Sequence, residues 1–325
     1  MADSALVSIV LPVFGLIGLG YLAAALKILP ESVGDGLAGF VFTLAIPLLL
    51  FRAIGTLEIP DLNPWPFWIA YFGGVAVNIP LGYFIARRLF GRDARASVVA
   101  GIATSYSNVV MVAMPLIDKA FGEVGLVTVL LLIAVHLPVM TFVSAVLIEV
   151  ADAKGDEGSG ASRFAASLWR VLRGLATNPF IVGIAAGVAF RLTGLPLTGV
   201  PAIVIERVSD TAIPLALVAL GMSLKRYGIS GNIGPAILIG AVKLSVMPVV
   251  VFVLAAYVFA LPPLAIAVAV ISAAGPTGAN AYIMATRFNT GLALSANTIT
   301  LTTAVSVLTL GLWLSLFVTV GPALN

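Results

Sequence analysis

The stretch Ala274-Gly275-Pro276-Thr277-Gly278-Ala279-Asn280 lies inside the apolar run Leu264 to Ala285, which would otherwise form one uninterrupted helix. Pro276 brings no N–H to the helical ladder, and its ring collides with the carbonyl one turn back. Gly275 and Gly278 loosen the backbone on either side. A helix broken here exposes carbonyl and N–H groups that hydrocarbon cannot satisfy, so the break must sit against protein or a polar cavity. A second interruption, Thr104-Ser105-Tyr106-Ser107-Asn108, places polar residues inside the apolar run Ser97 to Ile117. Two interrupted helices in one membrane chain point to the binding site of a transporter.

Composition makes the membrane explicit. Of 325 residues, 61% are hydrophobic and 10% charged, with a mean hydropathy of +1.15. A soluble domain carries about 25% charged residues. At about 20 apolar residues per helical span, the chain reads as all-α and polytopic with ten spans, roughly 5–26, 34–54, 66–90, 97–117, 122–149, 175–193, 203–224, 233–260, 264–286 and 294–320. The first run, Leu6 to Leu26, lacks a basic leader and a small-residue cleavage site, so it reads as a retained span. The polar stretch 151–173 reads as a flexible linker between residues 1–150, with five spans, and residues 174–325, with five more.

Basic residues in short loops set orientation. One side collects Lys27, Arg87, Arg88, Arg92, Arg95, Lys154, Arg163, Arg170, Arg173, Lys225, Arg226 and Arg287; the other has Arg52, Lys119, Arg191 and Arg207. The richer side is expected in the cytoplasm, with the linker, and both termini outside, in a multi-pass protein of the cell (inner) membrane. The net charge of +3 thus follows topology and gives no nucleic-acid patch.

Three anchors recur at nearly one offset. Ala45-Ile46-Pro47-Leu48 returns as Ala212-Ile213-Pro214-Leu215, displaced by 167; Pro80 and Pro248 differ by 168, and the breaks at Ser107 and Pro276 by 169. Five spans per copy is an odd number, so the second copy enters the membrane upside down. The expectation is two inverted five-helix repeats whose broken helices, spans 4 and 9, cross near the midplane.

These segments also resemble the auxin efflux carrier family, which includes plant PIN exporters and bacterial permeases assigned to malonate or malate. The likeness is carried by Ser107-Asn108-Val109-Val110-Met111-Val112-Ala113-Met114-Pro115-Leu116, with Asn followed seven residues later by Pro, and by Gly275-Pro276-Thr277-Gly278-Ala279-Asn280-Ala281-Tyr282. Ala212 to Gly221, and Lys243-Leu244 with Pro248, are similar to the family's spans 7 and 8. The resemblance implies a bile-acid-symporter-like fold, with a scaffold of spans 1, 2, 6 and 7 and a moving core of spans 3–5 and 8–10. It also implies a homodimer through the scaffold. Plant members have Pro directly before the span-4 Asn, where this chain has Ser107.

The candidate substrate-binding residues are Asn108, Ser107, Ser105, Pro276, Thr277, Asn280 and Tyr282. Asn108 is placed to cap the second half of span 4, to donate to a substrate carboxylate, or to do both. Asn280 reaches either the same cavity or a neighbouring helix. Ser105, Ser107 and Thr277 have hydroxyls that can return to the freed backbone instead of a ligand. Tyr106 and Tyr282 fit packing as well as lining. In span 10, Thr298, Thr300, Thr302 and Thr303 can bond carbonyls one turn earlier; Asp210, beside Ser209 and Thr211, reads as an outer-vestibule or scaffold feature, and Arg52 lies close enough to the outer face to snorkel.

Two groups qualify for charge balance or coupling. His136, the sole histidine, lies mid-span and suits a proton shuttle or a plain hydrogen bond in the bundle. Lys243 lies about 15 Å into the membrane at 1.5 Å per residue, too deep to snorkel easily. It must bond the freed carbonyls of a broken helix, or balance an anion.

The chain has no Cys and one His, so cysteine nucleophiles, disulfides and enzyme constellations are excluded, and no phosphate-binding glycine loop supports ATP-driven transport. No cofactor or metal is expected. The reading is a secondary transporter of small organic anions, auxin-like or mono- and dicarboxylate, with the lipid bilayer as its other partner. A sodium-coupled symporter of bile-acid type is the alternative, and a membrane sensor or structural subunit the alternative of another class.

Overall fold

A computed structural model gives the fold; it describes residues 6–57, 62–152, 173–174, 177–231 and 233–320. Most of the linker, 153–172, therefore lies outside the described residues. Apart from one isolated β-bridge, the described chain is helical. Among the described residues six helical stretches are long and apolar enough to cross a membrane: Val7–Ala25, Glu31–Thr56, Pro64–Leu89, Val109–Ala151, Gly234–Val258 and Leu292–Val318. Pro179–Leu192 and Pro263–Ala274 are shorter apolar helices.

In chain order, α1 is Leu11–Ala25, and α2 (Glu31–Phe40) runs through a π-helical turn at Val41–Ala45 into α3 (Ile46–Thr56). Then come α4 (Pro64–Phe84), α5 (Ala94–Ser105), a π-helical turn at Val109–Ala113, and α6 (Met114–Asp152). The second half has α7 (Pro179–Leu192), α8 (Gly199–Asp210), α9 (Ala212–Tyr227), α10 (Gly234–Val253), α11 (Pro263–Ala274), α12 (Asn280–Arg287) and α13 (Leu292–Val320).

Local chemistry explains most of the joints. Gly122, at φ 62° and ψ −153°, breaks α6 into two helical segments at a conformation that side chains with a Cβ rarely adopt. Asn63, Asp93 and Asn178 cap α4, α5 and α7 by accepting from Trp65, Ala96 and Phe180 N–H. The stretch expected as one span over 203–224 is two helices, α8 and α9, joined at Thr211. Pro214 has no N–H for the Asp210 carbonyl, so the ladder fails there. The helix of α6 also runs two residues past 150, into the stretch read as linker.

Helix α1 lies against α9, and α3 against α7. Both approaches depend on glycine: a Cβ on Gly221 would overlap the Ile17 carbonyl, and one on Gly183 would press on the Pro47 carbonyl. Helices α2 and α8 join this set through α9 and α3. The other helices, α4, α5, α6, α10, α11 and α13, pack chiefly on one another. On the edge of the first set, Arg52 pairs with Asp210 at 3.2 Å and Glu206 at 3.7 Å. Arg226 pairs with Asp35 at 2.7 Å, and Asp35 raises the Arg226 pKa above its usual value.

Candidate functional site

The two interruptions meet. Helix α5 ends at Ser105 and helix resumes at Val109; α11 ends at Ala274 and α12 begins at Asn280. Between them the backbones run antiparallel, with Ser107 opposite Thr277. Asn108 N–H donates to Pro276 O at 2.7 Å, and Gly278 N–H to Tyr106 O at 2.8 Å. Each break thus supplies the partners that the other lacks.

The side chains complete this exchange. Thr277 Oγ1 donates to Ala103 O at 2.7 Å, while Thr277 N–H donates to Thr302 Oγ1 at 3.0 Å. With the Thr277 N–H diverted, the Ala273 carbonyl has no partner four residues on, and Lys243 Nζ donates to it at 2.6 Å. The same ammonium donates to Ser107 Oγ at 2.8 Å and lies 3.3 Å from Met247 Sδ. Lys243 is fully buried. Of its two sequence roles, bonding a freed carbonyl is the one visible in this geometry.

Beside the crossing lies a cavity of about 320 Å³. Its buried floor is Tyr106, Ser107, Asn108 and His136; Thr43 and Ile283 are exposed at its mouth. Ile133, His136 and Leu137, on one face of α6, form one wall, and Phe42 stacked on Phe180 at 5.8 Å forms another.

Three helix N-termini open into this cavity, each marked by asparagine. Asn108 caps the second half of span 4 by accepting from Met111 N–H at 3.2 Å, Asn178 caps α7, and Asn280 is the first residue of α12. Each terminus carries roughly half a positive charge of helix dipole; at α7 Pro179 has no N–H and the Phe180 N–H is taken by Asn178 Oδ1 at 2.9 Å, so that terminus offers chiefly its dipole. The floor adds unused polarity: Asn108 Nδ2, Tyr106 Oη and His136 Nε2 are buried without a hydrogen-bond partner. Donors buried at a cavity and left unpaired are costly unless a ligand or water meets them. No Asp or Glu is among the described residues that line the cavity.

Asn108, Ser107, Asn280 and His136 therefore come together around one space. Ser105 does not line it; its hydroxyl returns to Gly101 O at 2.9 Å. Pro276 and Thr277 lie behind it, bonding the crossing, and Lys243 reaches it only through Ser107. Tyr282 packs on Tyr227 with ring centroids 4.8 Å apart, away from the lining. Thr298, Thr302 and Thr303 do bond carbonyls one turn earlier, whereas Thr300 reaches Gly228 O.

Sequence reasoning passed over Asn178 and Phe180. The Asn-Pro pair opening α7 was the available signal, a cap followed by Pro at the first helical position. What it could not carry is that this terminus abuts the crossing. Thr302 as acceptor for Thr277 N–H was missed for the same reason.

A family model described as "Membrane transport protein" matches residues 5–314. The chain is 29% identical over 312 residues, 93% of its length, to a protein of Rhizobium meliloti (strain 1021) named "Putative malonate transporter", covering 92% of it. It is 26% identical over 307 residues, 94% of its length, to an "Uncharacterized transporter" of Methanothermobacter thermautotrophicus (strain Delta H), covering 96% of that protein.

Proposed function

The chain belongs to the membrane transport protein family, that of the auxin efflux carriers, and from that premise we propose that it is a secondary transporter of small carboxylates, working by alternating access at the cavity beside the crossing. One observation carries the reading: the N-termini at Asn108 and Asn280, the dipole end of α7 and the unpaired donors of Asn108 and Tyr106 converge on a single space that no carboxylate among the described residues lines. Such a site favours an anion and offers directional hydrogen bonds to its oxygens. Malonate, from the name of the bacterial relative, is the first candidate.

Asn178, just after the linker, lines the cavity whose exposed residues are Thr43 and Ile283. With the linker in the cytoplasm, as expected from the basic residues, we read this as an inward-open state. The inverted repeat is supported by a further pair: the π-helical turns at Ile85–Leu89 and Leu254–Val258 are also displaced by 169 residues. The two sets of mutually packed helices fit a scaffold (spans 1, 2, 6, 7) and a moving core, the scaffold being also the homodimer surface that the resemblance implies. Sodium coupling is disfavoured at the crossing, because the Lys243 ammonium already takes the Ala273 carbonyl, left free where the Thr277 N–H turns to Thr302.

The test is thermal unfolding of the purified protein with malonate, malate, benzoate, indole-3-acetate or the neutral malonamide, in sodium and in choline buffers. A carboxylate at 100 times its Kd should stabilise by about 2.7 kcal/mol, equally in both buffers, with malonamide inert. No shift with any acid, or an equal shift with malonamide, would overturn the anion site.

A further inference from the structure

His136 is the single histidine of the chain and forms part of the cavity wall, 4% exposed. Two aromatic rings hold it edge-on: Tyr71 of α4, with centroids 5.5 Å apart at 78°, and Tyr106, at 5.2 Å and 87°. The ring is therefore fixed, and its Nε2 has no partner within the described protein.

None of the described groups around it is an anion. From α4 comes Tyr71, from the first break Tyr106, and both hydroxyls are unpaired. From α10 comes Lys243, its ammonium committed to Ala273 and to Ser107, which lines the same cavity as the ring. The second break offers Asn280, and α7 with the turn before α3 offers Asn178, Phe180, Phe42 and Thr43, all uncharged. Among the described residues an imidazolium here would face a cation and no anion, so a positive charge on the ring is costly while the site is empty. A carboxylate entering the cavity is the first counter-charge that the ring meets, and it favours the protonated form.

We infer that anion binding in this cavity is coupled to the uptake of one proton by His136. This rests on the carboxylate reading above. The step balances simply: a proton from solvent enters through the mouth, the lone pair on the unprotonated ring nitrogen takes it, and no other bond forms or breaks. Whichever nitrogen carries the proton in the neutral ring, the imidazolium is a donor at both, the unpartnered Nε2 included. The chain would then move carboxylates together with protons.

The sign follows from linkage. Where the occupied site holds the ring protonated and the empty site holds it neutral, Kd tightens up to about tenfold for each unit of acidification. That gain is lost as pH rises past the point where the occupied site releases its proton.

A single histidine makes the experiment direct. Full-length protein without a polyhistidine tag, labelled with ¹⁵N at histidine, gives one ring to follow. The neutral pattern is expected without ligand, and the imidazolium pattern with saturating malonate at neutral pH. Calorimetry in buffers of differing ionisation enthalpy should report about one proton taken up per malonate, and likewise per benzoate, which stays ionised throughout. His136→Gln, which keeps a polar side chain but cannot take up the proton, should bind both acids more weakly than wild type at acid pH, with no proton uptake and no pH slope. A ring that stays neutral in the bound state, or a Gln variant with the wild-type slope, overturns the inference while leaving the carboxylate site intact. Failure of malonate and benzoate to bind at all overturns both.

Discussion

Two substitutions at Asn108 should rank oppositely in stability and in binding. Its Oδ1 accepts from Met111 N–H at 3.2 Å, while Nδ2 is unpaired at the cavity. Asn108→Ala removes both functions. Loss of the cap costs about 1 kcal/mol of stability, and loss of a charge-assisted donor costs about 1.5–3 kcal/mol of binding. The second figure is roughly a 10- to 150-fold rise in Kd. Asn108→Asp keeps an acceptor for Met111 N–H and suits the positive end of the half-helix, so the cap survives. It has no donor for a carboxylate and adds a like charge. Two unit charges about 4 Å apart repel by about 4 kcal/mol at an effective dielectric constant near 20. That term alone raises Kd about a thousandfold. Malonate affinity should fall in the order wild type, Ala, Asp, whereas thermal stability should be lowest for Ala. Calorimetry and thermal unfolding on the same preparations at pH above neutrality give both rankings. An Asp variant that binds malonate like wild type, or an Ala variant that melts early with unchanged Kd, would leave Asn108 as a cap alone.

Two further substitutions probe the frame around the site. Gly221→Ala would drive its Cβ into the Ile17 carbonyl and the Tyr21 N–H, so α1 and α9 must separate, at about 1–3 kcal/mol or more; Gly18→Ala on α1 meets nothing within 4 Å and should be harmless. Equal melting temperatures for the two would refute the close approach. Thr277→Val keeps its shape but strands the Ala103 carbonyl, which should cost about 1–3 kcal/mol, while Thr303→Val removes a bond to Ile299 O within one helix and should cost less; chemical unfolding in detergent, with equal losses, would refute the crossing bond.

Chain chemistry alone determined where the helices fail. Pro276 cannot supply an N–H wherever it is buried, and Gly275 and Gly278 leave its neighbours free to follow. Ser107 and Asn108 mark the partner break because polar side chains in an apolar run must find bonds. The depth of Lys243 required a partner within the protein, whatever the fold, since hydrocarbon offers none. These are local obligations, readable from one segment at a time.

The tertiary structure decided which obligations cancel. Nothing in the segment around Thr277 says that its N–H goes to Thr302, that its hydroxyl goes to Ala103, or that Lys243 therefore inherits the Ala273 carbonyl. Asn178 and Phe180 join the cavity because α7 lies along α3, a contact set by glycines on one helix meeting carbonyls on another. Tyr282 left the cavity for Tyr227, and Pro214 divided a run that hydropathy reads as continuous. In an almost uniformly apolar chain, hydropathy tells a residue's solvent but not its neighbour. Close packing and the pairing of freed backbone groups choose the neighbour, and those exist only once the helices are assembled.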